Sequence, residues 1–114
     1  MLRRRSSRAR ARSMGSAPLF AALGDETRLR LVSRLCGGGP MSITRLTAGS
    51  NVTRQAITKH LRVMEEAGLA RSTRRGRESV WQLDERRLKE ARHHLEQIAK
   101  QWDEALERLR ALVE

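Results

Sequence analysis

The segment NVTRQAITKHLRVMEEAGL, residues 51–69, constrains the fold more than any other part of the chain because as a helix it has two chemically different faces. At about 100° per residue, Ile57, Leu61 and Met64 fall on one side, which forms an apolar face suited to a core. The opposite side collects polar and basic side chains, namely Gln55, Thr58, Lys59 and Arg62. The chain must therefore bury one face of this helix and leave a cationic face outside.

The ends of this helix and of the helices before it carry recognisable stop and start residues. Thr53 is the expected N-cap and Gly68 the expected left-handed residue after the C-terminus. Upstream, a short helix breaks at Gly24, and Asp25 is expected to cap a second helix that the run CGGGP ends. Ser42 is expected to cap a third, short helix. The apolar positions of the second helix are Leu29, Val32 and Leu35 (or Leu31), and those of the third are Ile43 and Leu46.

Two short strands follow the helix of residues 51–69. The runs LARST and ESVWQL have the composition of strands, and Arg75-Gly76 in the intervening RRGR is expected to form a tight hairpin turn. The predicted order is four helices, a hairpin and a last helix. A basic, outward-facing second helix of a pair, followed by a basic hairpin, predicts a mainly α winged helix-turn-helix with a small β-hairpin.

The last helix is predicted from Asp84 to the end of the chain, and its apolar residues form a heptad seam. Their spacing alternates between three and four, which favours helix-to-helix pairing along one stripe. The seam comprises Leu88, Ala91, Leu95, Ile98, Trp102, Ala105, Leu109 and Leu112. A single chain of this size has little left to cover such a stripe, so the sequence predicts a long dimerisation helix.

The charge of the chain points to a polyanionic partner. Lys and Arg number 24 against 13 Asp and Glu, a net charge of +11 on 114 residues. Residues 1–16 hold six arginines and no acid, and we predict a disordered basic arm there, followed by one domain over residues 17–114. Residues 53–77 hold seven basic residues and two acidic ones, whereas residues 85–114 hold seven of each sign. The excess charge therefore lies where a winged helix contacts DNA.

The chemistry of the basic segment suits DNA recognition. Arg54 can donate two hydrogen bonds to guanine, Gln55 can pair with adenine, and the Thr58 methyl can contact a thymine methyl. Lys59 and Arg62 are better placed for phosphates, and His60, between the two faces of the helix, is expected to reach a phosphate as well. Three arginines at the hairpin tip are expected to follow the flanking backbone or enter a minor groove: Arg74, Arg75 and Arg77.

Three segments, LGDETRLRLVSRL, TRQAITKHLRVMEEAGLA and RRGRESVWQL, closely resemble the ArsR-type family of bacterial winged-helix repressors. The likeness runs from about Leu19 to Leu83 in the same order. It implies a homodimeric repressor that binds a double-stranded, pseudo-palindromic DNA operator. A cytoplasmic, nucleoid-associated location is expected because the sequence has no run of about 18 apolar residues and no signal-peptide h-region. It also implies that Thr53, Arg54, Gln55, Thr58, Lys59 and His60 face DNA. The implied dimer interface joins the last helix to the first helix, with Leu19, Phe20, Leu23, Leu88, Leu95, Ile98, Trp102 and Leu109.

The metal sites of the family are not expected in this chain. Its Cys-x-Cys pair is replaced by SITRLT, and of its second site only His93 and Glu96 match, since Val80 and Gln82 occupy the remaining ligand positions. We therefore predict no metal and no cofactor. The resemblance is to the branch without metal ligands, in which a small organic effector, or autorepression without one, is the usual expectation.

The remaining residues favour neither catalysis nor redox chemistry. Cys36 is the one cysteine, which excludes an intramolecular disulfide and favours a reducing compartment; beside an apolar helix end it is expected to be a small core residue. Trp81 and Trp102 are expected to serve in packing. With no phosphate-binding glycine loop and no paired carboxylates in a cleft, the chain is not expected to be an enzyme. The alternative is a non-specific architectural or RNA-binding module. RNA-binding proteins usually stack unpaired bases on aromatic side chains, and this chain has few of them.

Overall fold

The computed structural model describes residues 15–114, and residues 1–14 of the predicted basic arm lie outside the described part. Within residues 15–114, five helices and three strands follow one another in the order that the sequence predicts, apart from one additional strand. They are α1 Ala17–Leu23, α2 Glu26–Gly38, β1 Met41–Ser42, α3 Ile43–Thr47, α4 Arg54–Glu66, β2 Ala70–Arg75, β3 Glu78–Leu83 and α5 Glu85–Val113. The predicted mainly α winged helix-turn-helix with a long last helix is confirmed.

Side-chain caps fix where four of the helices begin. Asp25, Ser42 and Thr53 each accept a hydrogen bond from the backbone N–H three residues further on, as their prediction as N-caps requires. Asp84 caps α5 over a shorter span, accepting from the N–H of Arg86, two residues further on, at 3.0 Å. Each cap satisfies one of the amide groups that the first turn of a helix leaves unpaired.

Gly68 ends α4 with a backbone turn that only glycine adopts easily. Its φ is +77°, and its N–H donates to the carbonyl of Glu65 while the N–H of Leu69 donates to that of Met64. This pair of hydrogen bonds is the Schellman motif, which closes the last carbonyls of the helix. The predicted left-handed residue at this position is confirmed, and it turns the chain sharply into β2.

The sheet has three antiparallel strands in the order β1-β3-β2, one more than the sequence predicts. The additional strand, β1, pairs Met41 with Trp81 and Ser42 with Val80. At two residues it is too short to show any period in the sequence. Its pairing anchors the base of the hairpin to the segment that leads into α3.

The hairpin turn lies one residue further along than predicted. Arg75 pairs with Glu78, so Gly76 and Arg77 are the two turn residues, in place of Arg75-Gly76. Gly76 has a φ of +63°, and no other residue type in the described chain has a positive φ. A positive φ at the first central residue alone is the pattern of a type II′ turn, which favours glycine at that position.

One hydrophobic core joins the first four helices to the sheet. Leu61 and Met64 of α4 are buried, and Trp81 packs there from β3, so the expected packing role of this tryptophan is confirmed. In α2, Leu31 and Leu35 are buried in the core and Val32 packs against it, whereas Leu29 is half exposed. The side chains with the least access to solvent are Leu19, Leu46, Ile57, Leu61, Met64 and Leu69.

Cys36 is exposed, and the expectation that it is a small core residue is wrong. Leu31 and Leu35 point into the core from α2, and the residue after Leu35 is rotated by about 100° around the helix axis. That rotation carries the Cys36 side chain out of the apolar stripe although it is next to a buried residue in the sequence.

The long helix α5 is packed at its start and exposed over the rest of its length. Ala91 is buried, but Leu95, Ile98, Leu109 and Leu112 are exposed, and Trp102 exposes 65% of its surface. The described residues therefore leave most of Trp102 uncovered. No helix in the described residues is long and apolar enough to cross a bilayer.

Candidate nucleic-acid interface

The outer face of α4 forms a shallow concavity that brings together five of the ten residues predicted for DNA contact. It lies opposite the buried face of Ile57, Leu61 and Met64. The residues that line it are Thr53, Gln55, Ala56, Thr58, Lys59 and Arg62. This surface is amphiphilic, with the small side chain of Ala56 between a primary amide, two hydroxyls and two cations. Such a set offers the donors, acceptors and methyl groups by which base edges are distinguished.

Two of the predicted base-contacting residues have local contacts that limit what they offer. The Thr58 hydroxyl donates to the carbonyl of Arg54 at 2.9 Å, so its one donor is engaged and it offers a partner its methyl and an acceptor oxygen. Arg54 does not line the concavity; its Nη1 lies 3.5 Å from the Thr44 hydroxyl, at the edge that faces α3. Arg54 is exposed, so it lies between the two helices of the pair at the surface.

Arg62 lies at the far end of the concavity and shares its charge with a neighbour. Its Nη1 is 3.5 Å from a Glu65 oxygen, one turn along the same helix, and the Arg62 side chain is largely exposed. A surface ion pair of this kind contributes about 0–1 kcal/mol. The Arg62 guanidinium can therefore leave Glu65 and pair with a phosphate instead.

His60 faces away from the concavity, toward the start of α2. Its Nδ1 is 3.2 Å from Arg28 Nη1 and 3.7 Å from Asp25 Oδ2, and 24% of its side chain is exposed. The sequence predicts a phosphate contact for this residue and does not reveal its two neighbours. Only the fold brings residues 25, 28 and 60 together.

Asp25 is an ionised carboxylate held by its surroundings. The hydrogen bond from the Arg28 N–H is the largest cause that lowers the pKa of Asp25 below its usual range. Burial acts in the opposite direction, and the positive charge of Arg28 lowers the pKa further. The negative charge is therefore maintained at the N-terminus of α2, where the helix dipole also favours it.

The wing, strands β2 and β3 with their turn, presents the other predicted cations. Arg74 and Arg77 are exposed, as is Arg75, which stands opposite Glu78 at the last pair of the ladder. The strand positions of Arg74 and Arg75 alternate in direction, so the two guanidinium groups leave opposite faces of the hairpin. The arginines of the wing are thus spread around its tip.

Arg34 helps to position the helix pair, a role that the sequence does not predict. Its Nη1 and Nη2 donate to the carbonyls of Leu46 and Arg45, at 2.7 and 3.0 Å. These carbonyls end α3, the first helix of the pair, so Arg34 fixes that helix against α2. A basic residue on a predicted helix gives no sign of such a contact, since the partner lies 11 residues or more along the chain.

The incomplete metal motif of α5 is engaged in other contacts. Glu96 pairs with Arg92 at 2.9 Å, and His93 Nε2 lies 3.3 Å from Gln97 Nε2. Within residues 15–114 no group of three or more His, Cys, Asp or Glu side chains could hold a metal ion.

A short helix, a turn, an amphipathic second helix with a cationic outer face and a basic wing together define a winged helix-turn-helix DNA-binding transcriptional regulator. A family model described as a helix-turn-helix domain matches residues 23–73. The uncharacterized HTH-type transcriptional regulator YuzN of Bacillus subtilis (strain 168) is 40% identical over 68 residues, which cover 54% of this chain and 74% of that protein.

Solved structures agree with this assignment. An ArsR-like transcriptional regulator from Rhodococcus sp. RHA1 is 35% identical, with a TM-score of 0.74 over 87% of this chain and 90% of the other. The antimony-specific transcriptional repressor AntR is 25% identical, with a TM-score of 0.58 over 89% and 90% of the two chains. The chain belongs to the ArsR family of HTH-type transcriptional regulators.

Proposed function

We propose that the chain is a homodimeric repressor that binds a pseudo-palindromic operator, with its own promoter as the first candidate. The observation that carries this proposal is the concavity on the outer face of α4, in which an amide, hydroxyls and cations share one accessible surface. In winged helix-turn-helix proteins the second helix of the pair, called the recognition helix, enters the major groove with its first turns against base edges. In this chain that helix is α4. Gln55 and Thr58 lie on those first turns.

The roles of the individual residues follow from their chemistry and position. Gln55 pairs with an adenine, and the Thr58 methyl contacts a thymine methyl. Arg54, at the edge toward α3, reaches a guanine or the adjoining backbone. The phosphate-binding group comprises Thr53, Lys59, His60, Arg62 and the wing residues Arg74, Arg75 and Arg77.

A dimer is supported by the exposed stripe of α5 and by its neighbour α1. Trp102 and Leu109 expose apolar surface that residues 15–114 do not cover. Phe20 of α1 packs against His94 of α5 with ring centroids 5.6 Å apart, so the two helices form one continuous face. The proposed interface comprises Phe20, Leu23, Leu88, Leu95, Ile98, Trp102 and Leu109. Leu19, which the resemblance adds to this set, is 0% exposed and belongs to the core of its own chain.

Two recognition helices related by a twofold axis would bind half-sites about one helical turn apart, ~34 Å. Repression is supported by the similarity to AntR, which is itself described as a repressor. A dimer bound across a promoter represses by excluding the polymerase, and it needs no ligand to do so. Relief of repression by a small organic effector is an addition that this mechanism permits.

Binding to the DNA upstream of its own gene, compared with a scrambled duplex of equal composition and titrated over salt, tests the proposal. We expect a preference of about 10³-fold or more at physiological salt. Footprinting is then expected to protect two half-sites. Equal affinity for both duplexes with a steep salt dependence would overturn operator recognition in favour of a non-specific architectural or RNA-binding role.

A further inference from the structure

Arg28 makes three separate connections at the point where α1, α2 and α4 meet. Its backbone N–H donates to Asp25 Oδ2 at 3.0 Å, and its Nε donates to the carbonyl of Ala22 at 2.6 Å. Its Nη1 lies 3.2 Å from His60 Nδ1. The guanidinium is therefore fixed at its base by the end of α1, and its outer edge is presented to the recognition helix.

The contact with Arg28 determines which nitrogen of His60 carries the proton. A guanidinium has five N–H donors and no acceptor, so Nδ1 must accept the hydrogen bond. A neutral imidazole that accepts at Nδ1 carries its proton on Nε2. Asp25 does not compete for Nδ1, because its Oδ2 is engaged as the N-cap and the 3.7 Å separation exceeds a hydrogen bond.

The Nε2 atom of His60 is open to solvent. The hydrogen bond of the ring is the one at Nδ1, and Nε2 has none within the described residues. Throughout residues 15–114, no side-chain nitrogen or oxygen that is buried from solvent lacks a partner. An unpartnered Nε2 must therefore reach the surface.

We propose that Arg28 is a positioning residue for DNA binding, which holds His60 as the Nε2–H tautomer with that N–H presented as a donor to a phosphate oxygen of the DNA backbone. The proposal rests on the proposed function for the identity of the partner. Phosphate contacts set the register of a recognition helix in the groove, and a donor fixed in direction before binding loses little freedom on contact. Arg28 contributes through His60 and itself contacts no DNA.

Two substitutions of His60 separate its two nitrogens. His60→Asn keeps a polar group near the position of Nδ1 and removes the outer donor, whereas His60→Gln places an amide N–H near the position of Nε2. We expect His60→Asn to weaken operator binding about threefold to tenfold, the effect of one hydrogen bond, and His60→Gln to stay within about twofold of the unmodified protein. Equal affinity of the two variants would overturn the phosphate contact.

Substitution of Arg28 by Met tests the positioning role, with Arg30→Met as its control. Arg30 is on the same helix and its side chain is exposed, paired with Glu26 at 3.2 Å. Arg28→Met is expected to lower affinity about threefold to tenfold, and the double variant with His60→Asn to be no weaker than either single variant. Additive losses in the double variant would show that Arg28 acts independently of His60.

The tautomer is measured directly on the free protein by ¹⁵N NMR of the imidazole. We expect a protonated Nε2 and an unprotonated Nδ1 in the unmodified protein and in Arg30→Met, and a mixture of tautomers in Arg28→Met. An unchanged tautomer in Arg28→Met, with folding verified by circular dichroism, would overturn the positioning role. Because this measurement needs no DNA, it distinguishes that failure from failure of the proposed function, in which the unmodified protein does not prefer its upstream DNA.

Discussion

Arg87 Nε donates to the carbonyl of Ala67 at 3.0 Å, which joins the first turn of α5 to the residue that caps the end of α4. The Arg87 guanidinium also pairs with Glu90 at 2.6 Å and donates to the carbonyl of Gly15. Arg87 is 4% exposed, so this charge is buried with its partners in place. The helix proposed for dimerisation and the helix proposed for DNA contact are thereby held as one unit.

Arg87→Met should destabilise the fold by about 1–3 kcal/mol, because it leaves a buried carbonyl without its donor while it conserves most of the side-chain volume. Chemical denaturation of the purified variant measures the change. Arg86→Met is the matched control, since Arg86 is exposed and a surface substitution changes stability by about 0.5 kcal/mol or less. Similar losses in the two variants would contradict the role of the buried contact.

Gln55→Ala should relax the base preference at one position of each half-site by about 1–3 kcal/mol, since a bidentate contact to a base edge is lost. Binding to a panel of operator duplexes, each changed at one position, locates the effect. Gln97→Ala, on the exposed surface of α5, is the control and should leave the preference unchanged. Unaltered sequence preference and affinity in Gln55→Ala would show that the recognition face lies elsewhere.

Arg75→Ala should weaken binding to every sequence alike and reduce the slope of log affinity against log salt by about one, because one phosphate contact is lost. Titration over salt with the operator and a scrambled duplex measures both quantities. Arg92→Ala removes the same charge from the surface of α5 and should leave the slope unchanged. A change confined to one base position would instead assign Arg75 to direct readout.

Replacing both Ile98 and Leu109 with Glu should yield folded monomers that bind the operator poorly, since like charges would be placed along the stripe that a second chain must cover. Analytical ultracentrifugation reports the oligomeric state. Leu29→Glu alters a half-exposed leucine on α2 and should leave the dimer intact. A double variant that sediments as a dimer would rule out this stripe as the interface.

Asp25→Asn tests the charge at the start of α2 while it keeps a good N-cap. The pKa of Asp25 is lowered in the folded chain, so the ionised carboxylate stabilises the fold above the pKa of the unfolded chain, about 4. That contribution is lost as the pH falls through the lower folded value. Denaturation between pH 2 and pH 7 should show the unmodified protein as the more stable at neutral pH and the two proteins converging in acid. A difference that does not vary with pH would exclude the charge as its source.

Local signals in the sequence were sufficient for most of the fold. The N-caps at Asp25, Ser42 and Thr53 depend on hydrogen bonds that span three residues, and the two faces of α4 depend on helix geometry alone. Both are properties of a short segment, which is why they could be predicted without knowing what surrounds them.

The features that were not predicted depend on contacts between distant parts of the chain. The strand β1 exists because Met41 and Ser42 lie beside β3, 38 or more residues away. Arg28, Arg34 and Arg87 resemble solvated cations in the sequence, yet each ends at a carbonyl or a ring of another element. Cys36 is the opposite case, a residue that the sequence places in the core and the fold leaves exposed. Its proximity in sequence to an apolar helix end does not determine which way its side chain points.

The apolar stripe left uncovered on α5 relates gene expression to promoter occupancy. If a pair of chains is the form that binds DNA, then at low abundance the concentration of that form rises with the square of the number of chains synthesised. A modest increase in synthesis would then change occupancy disproportionately. The exposed leucine and tryptophan side chains along α5 would thus set the number of chains per cell at which the promoter becomes occupied and transcription stops.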